Sequence, residues 1–183
     1  MTDPSVLQRL ADKDAIWECV LRYTRGLDRL DIDLFRSAYW EDALTCHGTV
    51  NGSVDDFLDW WLPLQEGREV GQHAVTNHWV EFDGADQANG ETYFLASIKN
   101  LASTTVELLA GRYVDHFEKR GNEWRIKTRV LIFDWQATAD ASQMQQRLEA
   151  NFTGSRDRND PSYEHPIQPR LEPPILQGLP QRS

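Results

Sequence analysis

The sequence predicts an α+β domain, with helices first and a curved antiparallel sheet after them. Two observations carry that prediction. As far as Leu64 the apolar residues recur at the period of helices buried on one face. From His73 to Trp135 that spacing gives way to four long runs rich in Val, Ile, Thr and aromatic residues, which is strand composition, and short turn-forming segments separate them.

Ile16, Val20, Tyr23 and Leu27 form the stripe of a first helix, widened by Trp17 and Leu21, with Asp12 or Asp14 placed to cap its first turn. Gly26 marks its end. Asp31, ahead of Leu34, Phe35 and Ala38, reads as the cap of a short second helix, so Asp28 falls at a helix–helix junction. Ser53-Val54-Asp55-Asp56 is a capping box with Asp in place of Glu, and it precedes Phe57, Trp60, Trp61 and Leu64 on a third helix that Pro63 or Gly67 ends. The strands cover residues 73–82, 88–99, 104–119 and 124–135. Asp83-Gly84-Ala85-Asp86 and Arg120-Gly121-Asn122 favour antiparallel hairpins. Three helices cover one face of such a sheet, so they pack on its concave side and leave a cavity between the layers. Residues 139–151, with Met144 and Leu148, read as a last, weakly anchored helix. The domain is expected to span residues 1–153, and residues 154–183 to form a Pro-rich extended tail.

A chain of 183 residues suits one core, and its seven Trp, seven Phe and five Tyr must line a core, a pocket or a subunit interface. The formal charge of −10 repels phosphate backbones and anionic lipid, which argues against nucleic acid or a membrane surface as partner. No apolar run reaches the roughly 18 residues of a membrane span, and Met1 to Leu10 lacks the basic start and apolar centre of a signal, so the sequence reads as cytoplasmic. Cys19 and Cys46 sit in no CxxC spacing and read as buried reduced thiols. Walker A, GxGxxG and GxSxG patterns are missing.

Two residues draw attention as acid–base candidates. Asp28 follows the first helix's stripe, and His73 opens the first long strand, where an imidazole in an apolar cavity can act as a base near neutral pH. His73 and His78 are five residues apart and point to opposite faces of a regular strand; only a bulge would bring them together. His47, His116 and His165 add no metal-ligand spacing, so no metal is expected. Arg129 shares the phase of Leu131 and Phe133, opposite to Trp124 and Ile126. Either the apolar face changes at a bulge near residues 127–129, or an Arg points into apolar surroundings, where it could hold a leaving group; an outward Arg paired with a surface carboxylate is the other reading. Tyr23 and Tyr113 read as core residues whose hydroxyls can reach a cavity. Trp60 and Trp61 are placed to pack on the sheet or to cover a ligand, and Trp40 and Phe133 are further candidates for a pocket wall.

Taken in order, Ala15-Ile16, Arg22-Tyr23, Leu27-Asp28 and Asp31, then Gln72-His73 and Asn77-His78, then Gly111-Arg112-Tyr113-Val114-Asp115 and Trp124-Arg125-Ile126 with Arg129, resemble the SnoaL-like branch of the NTF2-like superfamily. Asp160-Pro161-Ser162-Tyr163 is similar to a tail motif of that branch. The resemblance implies a cone-shaped barrel, with N-terminal helices on a curved antiparallel sheet that encloses an apolar pocket. Such domains assemble into dimers or trimers, and a trimer is favoured here. Scytalone dehydratase, bile-acid 7α-dehydratase and hexachlorocyclohexane dehydrochlorinase share this fold, and diarylpropane lyases that release formaldehyde are similar. In the dehydrochlorinase and the dehydratases an Asp from the first-helix region supports a His of the sheet, and those roles fall on Asp28 and His73. Arg129 matches a basic residue that assists the leaving group, while Tyr23 replaces a basic residue of the dehydrochlorinase.

The expected function is therefore a cofactor-independent lyase of the dehydratase or elimination type, acting on a bulky apolar or aromatic small molecule in the breakdown of aromatic compounds. Its catalytic candidates are Asp28, His73, Arg129 and Tyr23; its pocket candidates are Trp40, Trp60, Trp61, Tyr113 and Phe133. Carbon–carbon cleavage with release of formaldehyde, double-bond isomerisation with Asp28 as the proton shuttle, and a non-catalytic binding domain are the alternatives.

Overall fold

The computed structural model, which describes residues 4–142 and 154–167, begins with helices α1 (Pro4–Arg29) and α2 (Ile32–Ser37). Helix α1 opens on a proline, whose missing N–H costs nothing at a first helical position. Asp12 and Asp14 therefore lie within the helix and do not cap it. Asp12 instead accepts hydrogen bonds from Lys119 Nζ and Trp124 Nε1, both at 2.8 Å, and so ties α1 to the sheet. Asp31 caps α2, accepting from the Leu34 N–H at 3.2 Å. A Cβ on Gly26 would lie 2.6 Å from the Phe35 nitrogen, so the two helices meet closely only because this residue is glycine.

Strands β1 (Tyr39–Cys46) and β2 (Asn51–Ser53) come before helix α3 (Val54–Trp61). The capping box at α3 is complete: Asp56 N–H donates to Ser53 Oγ at 3.1 Å and Ser53 N–H donates to Asp56 Oδ2 at 2.8 Å. Pro63 lies in a 3-10 turn (Leu62–Gln65), after which β3 (Arg68–Asp83), β4 (Gln87–Asn100), β5 (Thr105–Arg120) and β6 (Glu123–Asp140) run as a meander. Gly84 and Gly121, with φ of 81° and 66°, make two of its turns.

The sheet order is β2-β1-β6-β5-β4-β3. The pair β1–β6 is parallel and the others are antiparallel, so the sheet is mixed where a wholly antiparallel one was expected. Strand β6 extends to Asp140 and absorbs the first two residues of the expected last helix; residues 143–151 of that helix lie outside the described residues. In the tail, Pro161–Tyr163 form a 3-10 turn, and Pro169, Pro173, Pro174 and Pro180 lie outside the described residues.

Of four register shifts in the meander, two set which side chains face inward around His78 and Arg129. In β3, Val75 lies opposite Phe94 and His78 opposite Thr92, so one extra residue falls between them. In β6, Ile126 lies opposite Phe117 and Thr128 opposite His116, which makes Lys127 the extra residue. The core fills the space between the helices and this face with Ile16, Val20, Tyr23, Phe35, Phe117 and Trp124. Burial of each large apolar side chain contributes about 1.5–3 kcal/mol, so this layer holds α1 and α2 against the sheet. No helix among the described residues is long and apolar enough to cross a membrane.

Candidate active site

Asp28, in the last turn of α1, faces His73 on β3 across the helix–sheet interface. Its Oδ1 lies 2.6 Å from His73 Nδ1, and its Oδ2 accepts the His73 backbone N–H at 2.9 Å. The two-point contact fixes both the ring and its strand. A carboxylate can only accept, so Nδ1 carries the proton on this side and Nε2 is left as the lone-pair nitrogen of the neutral imidazole. Both side chains are largely buried, with exposures of 13% and 16%.

Asp28 and His73 sit on the wall of a cavity of about 230 Å³ between the helical layer and the sheet. Phe94, Ile98, Leu109, Leu131 and Phe133 make its sheet side, while Phe57, Trp60 and Trp61 of α3 face them. Polar side chains interrupt this apolar surface, among them Tyr23, His47, Gln65, Arg68 and Arg156 beside the Asp28–His73 pair, which suits a site that binds an apolar body and orients it with placed polar groups.

Behind one wall lies a buried charged network. Arg129 and Asp115 are direct cross-strand partners on β6 and β5. Arg129 Nε and Nη2 donate to the two Asp115 oxygens at 2.7 and 2.6 Å, and both side chains are fully buried. The guanidinium packs against the rings of Tyr23 and Tyr113, 4.0 and 4.2 Å from their centroids, and the two rings meet edge to face at 5.2 Å. The Lys127 bulge produces this arrangement: it brings Arg129 and Leu131 onto the inward face already held by Trp124 and Ile126. The face change and the inward Arg, alternatives in the sequence, are one feature. Arg129 is thus absent from the cavity wall and touches a ligand's surroundings only through Tyr23 and Tyr113, which do line it.

Tyr23 connects that network to His47. Its hydroxyl lies 3.2 Å from His47 Nε2, and His47 Nδ1 lies 3.0 Å from Thr45 Oγ1. Burial pushes the Tyr23 phenol up to about 12, against the pull of Arg129, so it stays protonated and able to donate. Burial likewise pushes His47 down to about 3, helped by the charge of Arg129, and its imidazole stays neutral.

The described tail folds back onto the junction that carries Asp28. Tyr163 Oη donates to Asp31 Oδ2 at 2.8 Å, Arg158 Nη2 donates to Asp31 Oδ1 at 3.0 Å, and Arg29 pairs with Asp160 at 3.4 Å. Arg156 reaches the cavity itself, donating to the carbonyls of Leu27 and Asp28 at 3.3 and 3.4 Å. The Asp160-Pro161-Ser162-Tyr163 motif is accordingly a latch on the α1–α2 junction.

Residues 8–130, more than half of the chain, match the family model described as the SnoaL-like domain. The chain belongs to the SnoaL-like domain family. Its fold of helices on a six-stranded mixed sheet is shared by solved structures of 16–24% identity. A hexachlorocyclohexane dehydrochlorinase of Novosphingobium barchaimii LL02 superposes with a TM-score of 0.66 at 23% identity, covering 73% of this chain and 93% of that one. A putative scytalone dehydratase of Novosphingobium aromaticivorans gives 0.66 at 20%, covering 74% and 91%. A Mycobacterium tuberculosis protein of unknown function gives 0.60 at 21%, covering 72% and 76%. No match was found among curated protein sequences.

Within this SnoaL-like domain the expected pocket residues Trp60, Trp61, Tyr113 and Phe133 reach the cavity and Trp40 does not. Trp40 alternates to the other side of β1: its Nε1 donates to the Glu118 carbonyl at 3.0 Å, and Arg120 and Arg125 cover its ring. The β3 bulge also corrects the two histidines. His73 and His78 share the inward face, but His78 is taken up by Thr92 at 2.8 Å and by the Trp17 ring. Among the described residues, no group of three or more His, Cys, Asp or Glu side chains is arranged to hold a metal ion. Sequence reasoning missed His47, Gln65, Arg68 and Arg156. His47 carries no local signal: it is buried in alternation with Ala43 and Thr45, but the intervening Leu44 and Cys46 are the more apolar set.

Proposed function

We propose that this domain is a cofactor-independent lyase in which His73 removes a proton from a bound small molecule and a leaving group departs. The observation that carries this reading is the paired contact of Asp28 with the His73 ring and backbone, on the wall of an apolar cavity. Asp28 holds the tautomer and stabilises the imidazolium that forms; Nε2 is the base. The protonated Tyr23 hydroxyl donates to the departing group while its oxygen accepts from His47 Nε2–H, and Arg129 packs against its ring. Acid–base assistance of this kind contributes about 10²–10⁴-fold, and positioning in the cavity supplies the rest. Both Asp28 oxygens are engaged by His73, which disfavours Asp28 as the mobile proton shuttle of an isomerase.

A cavity of about 150 Å³ accepts benzene, so about 230 Å³ admits one substituted ring or a compact bicycle. The test follows product mass over a panel of ring compounds bearing a leaving group beside an acidic C–H. The reading expects loss of a small molecule, abolished in His73→Ala; turnover that survives His73→Ala refutes it. We further propose self-association through the outer sheet face, where Trp79, Tyr93, Leu95 and Val114 are exposed. Light scattering that returns a monomer would count against that assembly.

A further inference from the structure

One end of the cavity carries positive charge that the acid–base reading does not use. Arg68, the first residue of β3, and Arg156 of the tail both line it. Arg156 Nη2 donates to Gln65 Oε1 at 2.9 Å, and Arg68 Nη1 reaches the same oxygen at 3.5 Å. Two guanidiniums therefore share one neutral acceptor. The other Arg156 contacts are the backbone carbonyls of Leu27 and Asp28, and its Nη1 is buried without a hydrogen-bond partner. Among the described residues neither arginine has a carboxylate within ion-pair distance.

The surroundings oppose this charge. Burial weakens the hold of both side chains on their protons; Arg68 and Arg29 add to the effect at Arg156, whereas Asp28 offsets it there and Glu107 offsets it at Arg68. A guanidinium does not deprotonate in response, so the unmet charge remains. Both side chains are half-buried, so each guanidinium has lost part of its hydration without gaining a carboxylate, and an entering anion supplies the missing partner. The backbone makes room for it. A Cβ on Gly71 would stand 3.3 Å from Arg156 Nη2, tighter than most contacts, so glycine leaves this stretch of β3 open to the guanidinium. Gly71 and His73 are two residues apart on one face of the strand, which puts the charged end one pleat from the base.

We propose that Arg68 and Arg156 form an anion subsite, and that the ligand of this cavity is an amphipathic organic acid with a ring among the apolar side chains and a carboxylate between the two guanidiniums. Planar forks of N–H donors match a carboxylate's two oxygens, which favours that group over a compact point charge. The proposal takes from the proposed function only that the cavity is the ligand site; it does not depend on the reaction.

The test compares trans-cinnamate with its uncharged methyl ester, each titrated calorimetrically into the full chain. The acid binds more tightly than the ester to the native protein. Arg68→Gln, which leaves the tail contacts in place, weakens cinnamate about 10–100-fold and leaves the ester unchanged. Arg156→Lys keeps the charge and loses the fork, so it gives a smaller loss for the acid alone. Absence of a preference for the acid, including no saturable binding of either compound, overturns the subsite, as does an equal loss for acid and ester in Arg68→Gln. His73→Ala keeps the preference for the acid. Turnover that survives in His73→Ala therefore overturns the lyase without touching the subsite, and equal binding of acid and ester overturns the subsite without touching the lyase.

Discussion

Replacing Asp115 by Asn keeps the size of the side chain and removes one charge from a place where water cannot compensate. Asp115 and Arg129 are both fully buried and joined by two hydrogen bonds of 2.7 and 2.6 Å, and the rings of Tyr23 and Tyr113 pack against the guanidinium. The variant strands a guanidinium that cannot shed its proton. Breaking a buried pair from one side costs about 3–5 kcal/mol, a large part of the roughly 5–15 kcal/mol that holds a typical domain together. For a chain of this size that is a fall in Tm of roughly 6–20 °C. Urea unfolding gives the free energy, with the m value checked for constancy, and calorimetry gives the Tm. The double variant Arg129→Met with Asp115→Leu should lose much less than the sum of the single losses, because no charge is left behind. A loss below about 1 kcal/mol for Asp115→Asn, at constant m, would mean that the pair behaves as a solvated surface bridge and would refute the reasoning.

Two further outcomes follow from the same geometry. His47 is neutral in the fold because burial pushes it down to about 3, whereas in the unfolded chain it titrates near the ordinary 6.5. Its contribution is therefore intact above pH 6.5 and lost as the pH falls toward 3, at up to about 1.4 kcal/mol per pH unit; urea midpoints of His47→Asn should show a shallower acid slope, and an unchanged slope contradicts the assignment. Gly26→Ala raises helix propensity by up to about 1 kcal/mol but drives a methyl into the Phe35 backbone, so a net loss of about 1–3 kcal/mol is expected in the urea midpoint, and a gain would show that α1 and α2 do not meet as described.

Legibility in the sequence followed the strength of the local signal. Helices α2 and α3 were readable from Asp31 and Ser53 because a cap is a local hydrogen bond between near neighbours. The four long strands announced themselves through composition. Strands β1 and β2 did not: β1 turns only Ala43 and Thr45 inward along its second half, a weak apolar alternation, and β2 is three residues long. Their pairing, including the parallel contact of β1 with β6, is set by tertiary packing. Phase arguments failed wherever a bulge intervened, as at His78; at Lys127 a bulge was one of the readings left open. Asp28 and His73 lie far apart in sequence, and only the ordered resemblance to SnoaL-like domains linked them before the fold set them 2.6 Å apart. Arg156 could not be found that way, because the return of the tail to the cavity depends on contacts between segments that carry no shared local pattern.

The central claim is that Asp28 fixes the tautomer of His73, and nitrogen-detected NMR of the histidine-labelled protein reads it without any substrate. With the His73 signals assigned by their loss in His73→Gln, the neutral ring should carry its proton on Nδ1 and a bare Nε2, and Asp28→Asn should disturb that preference. A neutral His73 with its proton on Nε2 in the native protein, unchanged by Asp28→Asn, would contradict the account.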